Sequence, residues 1–287
     1  MSHKEIIFKD AFIKALEYCK NNNLYLGEGN PNARILIIGK ECALDGERLG
    51  LKNASFRELE NEIVRRNLGN WEEFIQKSVS IEDIEKLKSD YSANIDKCST
   101  NQYYPYFPHV GQRFMVRNEK LIKKNENKSF PSEKGTSQTW YLYQRLIEAF
   151  RGKNNDLIDF HEDAFHTEIN QIPALSTKDL PKAERKESIE KRRNLFKHDF
   201  IQQFPVVVFA CGTKDIMGSE IEDIFNVSFN PDGRKLPCQT ISDSQAFWTH
   251  YNQDKTKLVI QTRQLSNNVR RELPIEIGEV IREFLNS

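Results

Sequence analysis

The chain has 287 residues, enough for one large domain or two small ones. Apolar residues make up 38% and charged residues 29%, with 42 Lys and Arg balanced by 42 Asp and Glu. A net charge of zero excludes whole-molecule attraction to a polyanion, so any nucleic-acid contact needs a local basic face. No apolar run reaches the length that spans a bilayer, and the first residues lack the apolar stretch of a secretory signal. Five scattered cysteines without a C-x-x-C pair argue against a disulfide framework and against a zinc site, and point to a reducing cytoplasm.

Residues 5–22 read as an amphipathic helix, with Ile6, Phe8, Phe12, Ile13, Leu16 and Tyr18 on one stripe. The run Asn21-Asn22-Asn23 ends it. Arg34–Ile38 is the first strand, and it leads into Gly39-Lys40-Glu41. A buried strand that ends in glycine followed by ionisable residues delivers side chains to the carboxyl edge of a sheet, where open α/β sheets bind ligands. A helix is expected over about 55–68. Residues 70–130 are irregular, with an acidic helix near 80–90 and a basic, Asn-rich run over 117–129. The cluster Tyr103 to His109 is either a base-stacking wall or a satellite core under a long loop.

Residues 138–150 resume a helix. A second strand fits Ala164–Ile169, where His166 reads as a hydrogen-bonded strand histidine. The 180–199 segment is a charged helix, read as a solvated face on which Arg192 and Arg193 are candidate phosphate contacts. Val206–Ala210 is a third strand, with Cys211 as a buried small hydrophobe. A helix over 214–225, a short strand near Val227, a fourth strand over Lys257–Gln261 and a final helix over 274–285 complete the pattern. Phe247 to His250 either line the mouth before the fourth strand or pack in the core. The alternation predicts an α/β fold, a three-layer α/β/α arrangement with a mainly parallel central sheet. It forms a single domain over 1–287 with a large insertion near 70–135.

Three segments carry a likeness: Gly29-Asn30-Pro31 through Gly39-Lys40-Glu41-Cys42, the strand 164–170, and Gln261-Thr262-Arg263-Gln264-Leu265-Ser266. Together they resemble the uracil-DNA glycosylase superfamily. The likeness covers residues 25–285, interrupted by the insertion. It implies a DNA glycosylase that flips a base from DNA into a pocket and hydrolyses the N-glycosidic bond of uracil or a modified base. Such a site needs a carboxylate to orient water and a donor to stabilise the departing base.

The resemblance places Glu41 as the water-orienting carboxylate, with Lys40 beside it. Cys42 stands where the family has proline. Gln261 falls at the family's histidine position; it donates a hydrogen bond but carries no proton. Arg263 and Ser266 follow as substrate-binding candidates. Asn170 is the candidate base-reading residue, with Glu168 as its rival; asparagine also caps turns. Asn267, Asn268, Arg270 and Arg271 lie where the resemblance brings the chain to the DNA backbone. No cofactor and no metal is expected. Two other readings stand beside this one. The first is a nucleic-acid-binding module that kept the fold without the chemistry. The second is a small-molecule enzyme on a doubly wound sheet, against which the lack of Gly-x-Gly-x-x-Gly and Walker loops weighs.

Overall fold

The computed structural model describes residues 6–42, 49–86, 105–108, 138–152, 160–174, 177–212, 218–230, 234–235, 245–266, 269–270 and 272–287. Its strands are β1 (Glu28–Gly29), β2 (Ile35–Gly39), β3 (Ala164–Glu168), β4 (Val206–Phe209), β5 (Arg234–Lys235), β6 (Phe247–Tyr251) and β7 (Leu258–Thr262). Its α-helices are α1 (Asp10–Asn22), α2 (Phe56–Gln76), α3 (Gln138–Arg151), α4 (Lys182–Phe196), α5 (Asp199–Gln202), α6 (Gly218–Phe225) and α7 (Glu272–Asn286).

The strands form one sheet in the order β1-β3-β2-β4-β7-β6-β5. The central four, β3-β2-β4-β7, pair in parallel. β1 pairs antiparallel with β3, β6 with β7, and β5 with β6. The sheet is therefore mixed, and the expected parallel pairing holds for its centre and not for its edges. β2, β4 and the Leu258–Ile260 part of β7 read as continuous apolar runs because strands with both faces covered have no polar side to show. Ile35, Leu36, Ile37 and Ile38 are all fully buried. Each such side chain contributes roughly 1.5–3 kcal/mol.

Alternate residues face two separate cores. Leu36, Ile38, Phe165, Val207, Phe209 and Val259 pack with Phe12, Leu16, Trp71, Phe196 and Phe200, from α1, α2, α4 and α5. Ile35, Ile37, Ala164, Val206, Val208, Leu258 and Ile260 pack with Leu142, Leu146, Leu273, Ile277 and Ile281, from α3 and α7. Helices thus cover both faces of the sheet.

Three expectations need correction. α2 does not stop near 68 but runs to Gln76, burying Trp71 and Phe74 in the core, so the start of the expected insertion is an integral turn of helix. Ser55 caps α2 through a reciprocal box with Glu58, which satisfies two of its free donors. α4 is not a fully solvated face: Arg192 is completely buried, and Arg193 pairs with Glu190 and Glu220. The short strand near Val227 is only an isolated bridge from Ser228 to Tyr251, whereas Phe247–Tyr251 is a strand in which Phe247 packs in the core, one of the two expectations for it. The sequence residues Tyr103, Tyr104 and His109 lie outside the described residues.

Candidate functional site at the carboxyl edge of the sheet

Among the four parallel strands, β2 connects outward to β3, and the chain then crosses back to place β4 on the other side of β2. The direction of winding therefore reverses between β2 and β4. Two connections that leave a pair of neighbouring strands in opposite directions open a crevice beyond their carboxyl ends. Gly39-Lys40-Glu41-Cys42 follows β2 there, and Ala210-Cys211-Gly212 follows β4. The Cys211 thiol donates to the carbonyls of Ile38 and Gly39 at 3.2 and 3.0 Å, which ties the two strand ends together.

The Glu41 side chain is only 4% exposed, and its Oε2 lies 3.9 Å from Arg185 Nε of α4. Glu168, the last residue of β3, pairs in register with Gly39. Burial raises the Glu168 carboxyl to about 7; the neighbouring His166 works against this, while the charges of Glu41 and Glu28 add to it. Among the expected site residues, these two carboxylates lie within electrostatic reach of one another. Burial also pushes the Cys42 thiol well above its ordinary value, with Glu168 and Glu28 adding to the rise.

Lys40 is half-buried, and its carbonyl accepts from the Asn170 backbone at 3.2 Å. Asn170 is fully buried and folds its amide onto its own turn: Oδ1 accepts from Ile172 N at 3.1 Å, and Nδ2 donates to Ile172 O at 3.3 Å. This is the turn-capping role of asparagine. Of the two rivals on this strand, Glu168 is the one whose carboxyl is raised by the charge of Glu41.

Gln261 lies near the end of β7, which β4 separates from β2. Two strand spacings amount to about 10 Å. Its side chain shares a face with Val259 and contacts His250, whereas Glu168 shares the opposite face with Ala164 and His166. The structure does not bring Gln261 to Glu168. Arg263 and Ser266 are half-buried just beyond β7. Arg270 is exposed ahead of α7, and its backbone donates to Gln245 Oε1 at 3.1 Å. Asn267, Asn268 and Arg271 lie outside the described residues.

Sequence reasoning gave no role to Glu28 or His161, and it read His166 as a hydrogen-bonded strand histidine. Glu28 of β1 pairs with His166 of β3, so both side chains share the face that carries Glu168. His161 enters from the short turn before β3. Gly29 permits its approach: at φ 105°, a Cβ there would meet Ala164 O at 2.4 Å and His161 Cδ2 at 3.0 Å. Burial lowers the His161 imidazole to about 3. Burial also opposes charge on His166, but the Glu168 and Glu28 carboxylates outweigh it and hold that imidazole above its ordinary value. Trp140 and Tyr143 of α3 cover the His166 ring at 5.9 and 5.5 Å between centroids. The signals in the sequence were the carboxylate between two glycines in Gly27-Glu28-Gly29 and the alternation of His166 with Glu168 on one strand face.

Arg192 holds this end of the sheet in place. Its guanidinium donates to Glu168 O at 2.7 Å, Thr167 Oγ1 at 2.8 Å and Gln171 Oε1 at 3.2 Å, and also to Tyr25 O. Trp71 Nε1 and Asn67 Nδ2 both donate to Gly27 O at 2.8 Å, which fixes the approach to β1 from α2.

No family model matches this chain, and no curated protein or solved structure matches it either. Among the described residues, no helix is long and apolar enough to cross a membrane.

Proposed function

We propose that this chain is a DNA glycosylase of the uracil-DNA glycosylase type, hydrolysing the N-glycosidic bond of uracil or a modified base flipped from DNA. The observation that carries this reading is the burial of Glu41 at the point where the winding of the sheet reverses, within electrostatic reach of Glu168. A carboxylate there orients the attacking water and offsets the positive charge that develops on the sugar. Glu168 takes the base-facing position in place of Asn170. The three-layer arrangement of helices about a parallel centre supports the same superfamily, and Cys19, Cys42 and Cys211, which form no disulfide, fit a cytoplasmic setting.

The full chain, incubated with single- and double-stranded oligonucleotides that carry uracil or modified bases, is expected to leave alkali-labile abasic sites at one class of base. Absence of abasic sites across the panel ends the reading. A second reading is a binding module without turnover, and the placement of Gln261 and Asn170 favours it. Both side chains are engaged by the fold, one at His250 and one at Ile172, and so neither is poised as a donor to a leaving base. DNA retention without strand scission would select that reading.

A further inference from the structure

We infer that Glu28, His161 and His166 form a binding site for one divalent transition-metal ion, with Glu168 as the outer partner that orients His166. Cysteine spacing in the sequence speaks only to thiolate sites, and this site uses none. The inference does not depend on the glycosylase reading.

Donor atoms of the three residues lie within 4.8 Å of one another, and all three residues are buried. His166 is 1% exposed, and neither of its ring nitrogens makes a hydrogen bond. Its Nδ1 stands 3.8 Å from Glu28 Oε1. That is too long for a hydrogen bond. It is close to the separation of two ligands on one tetrahedral ion, roughly 3.4 Å for bonds of about 2.1 Å. For this pair a small contraction closes the difference.

The opposite nitrogen, Nε2, faces Glu168 Oε1 at 3.5 Å. A metal-bound imidazole characteristically presents its other N–H to a carboxylate, which fixes the tautomer and leaves the ligating lone pair aimed at the ion. The two nitrogens of His166 are arranged in that order, with Glu28 at Nδ1 and Glu168 at Nε2. A divalent cation would also offset the charge of two buried carboxylates that share one pocket. The backbone is shaped for the convergence: Gly29 has no side chain to hold His161 away from β1. Two imidazoles and one carboxylate are the donor set of catalytic zinc and of non-haem iron sites, which keep a further position open.

The test uses the full chain stripped with a chelator and titrated at neutral pH with zinc, cobalt(II) or magnesium. One equivalent of zinc or cobalt is expected to remain after desalting, and magnesium is expected to bind far more weakly, because it prefers oxygen donors. The cobalt spectrum should show nitrogen and oxygen ligation without a thiolate charge-transfer band. Glu28→Gln and His161→Gln should each weaken zinc by tenfold or more. Glu168→Gln should weaken it by about 10–100-fold through the loss of its support for His166. His250→Gln, a buried histidine outside the cluster, should bind as the parent does. Where a cluster variant loses its circular dichroism, the parent's stoichiometry and cobalt spectrum still decide. A folded parent chain that retains no metal, a thiolate band, or unchanged affinity in folded Glu28→Gln and His161→Gln each overturns the assignment, and the cluster is then a buried imidazolium–carboxylate network.

Discussion

The Glu168 carboxylate occupies the space that a side chain on Gly39 would fill. The two residues pair across β2 and β3, and a Cβ on Gly39 would sit 2.2 Å from Glu168 Oε2 and 3.1 Å from His166 Nε2. The glycine that closes the first apolar strand is thus what admits a buried acid to the carboxyl edge. Gly39→Ala is expected to cost about 1–3 kcal/mol by overpacking. The same change in a Glu168→Ala background should cost much less, because only His166 Nε2 then still crowds the new Cβ. A double-mutant cycle read by urea denaturation measures the coupling, which should exceed about 0.5 kcal/mol. Additive costs would show that the carboxylate does not rest there.

Arg192 is a fully buried guanidinium whose partners are the carbonyls of Glu168 and Tyr25, the Gln171 amide and the Thr167 hydroxyl. Arg192→Lys keeps the charge but lacks the planar fork that reaches several acceptors at once. Each lost charge-assisted bond is worth about 1.5–3 kcal/mol. Arg192→Lys and Arg192→Met should therefore each lower unfolding free energy by at least about 3 kcal/mol. A loss below 1 kcal/mol in chemical denaturation would contradict the role given to this side chain.

Glu41→Gln tests the proposed chemistry directly. The amide keeps the shape but neither bears charge nor takes a proton. Single-turnover base release should fall by about 100-fold or more, while DNA affinity in a gel-shift assay stays the same. Retention of the parent rate would remove Glu41 from the reaction. Equal loss of binding and rate would make it a structural residue held by Arg185.

Lys257 supplies a pH signature far from the site. Burial lowers its ammonium to about 8, although its Nζ donates to Gln202 O at 2.8 Å and to Gln202 Oε1 at 3.0 Å. Between that value and the ordinary lysine range, the unfolded chain binds more protons than the folded one, so stability rises with pH across the window. Below pH 8 the penalty is fully present. Partial exposure screens it to about 1 kcal/mol. The gain in unfolding free energy between pH 7.5 and 10 should be smaller in Lys257→Met than in the parent by about that amount. Identical slopes would count against the shift.

The sequence by itself determined the strands at the centre of the sheet and most of the helices around them. Ile35–Ile38, Val206–Phe209 and Leu258–Ile260 are apolar throughout because both faces of a central strand lie away from water, and this leaves an unbroken run to read. The apolar spacing of Phe56, Leu59, Ile63 and Val64 marks the first turns of α2, while its last turns to Gln76 follow from the packing of Trp71 and Phe74 in the core. The sequence also placed Glu41 at a strand end and offered Glu168 as an alternative to Asn170.

Only the tertiary structure decided which polar residues meet. β1 has two residues, too few to show a period, yet its pairing with β3 sets Glu28 opposite His166. His161 and Arg192 gave no local sign of a shared role, because their partners lie on other elements. The separation of Gln261 from Glu168 depends on strand order and on side-chain parity in the sheet, and a one-residue shift of register would change only the face. Apolar periodicity is written along the chain because each element meets its own core. A cluster of acids and imidazoles is written across the chain, and it exists only once the strands have taken their places.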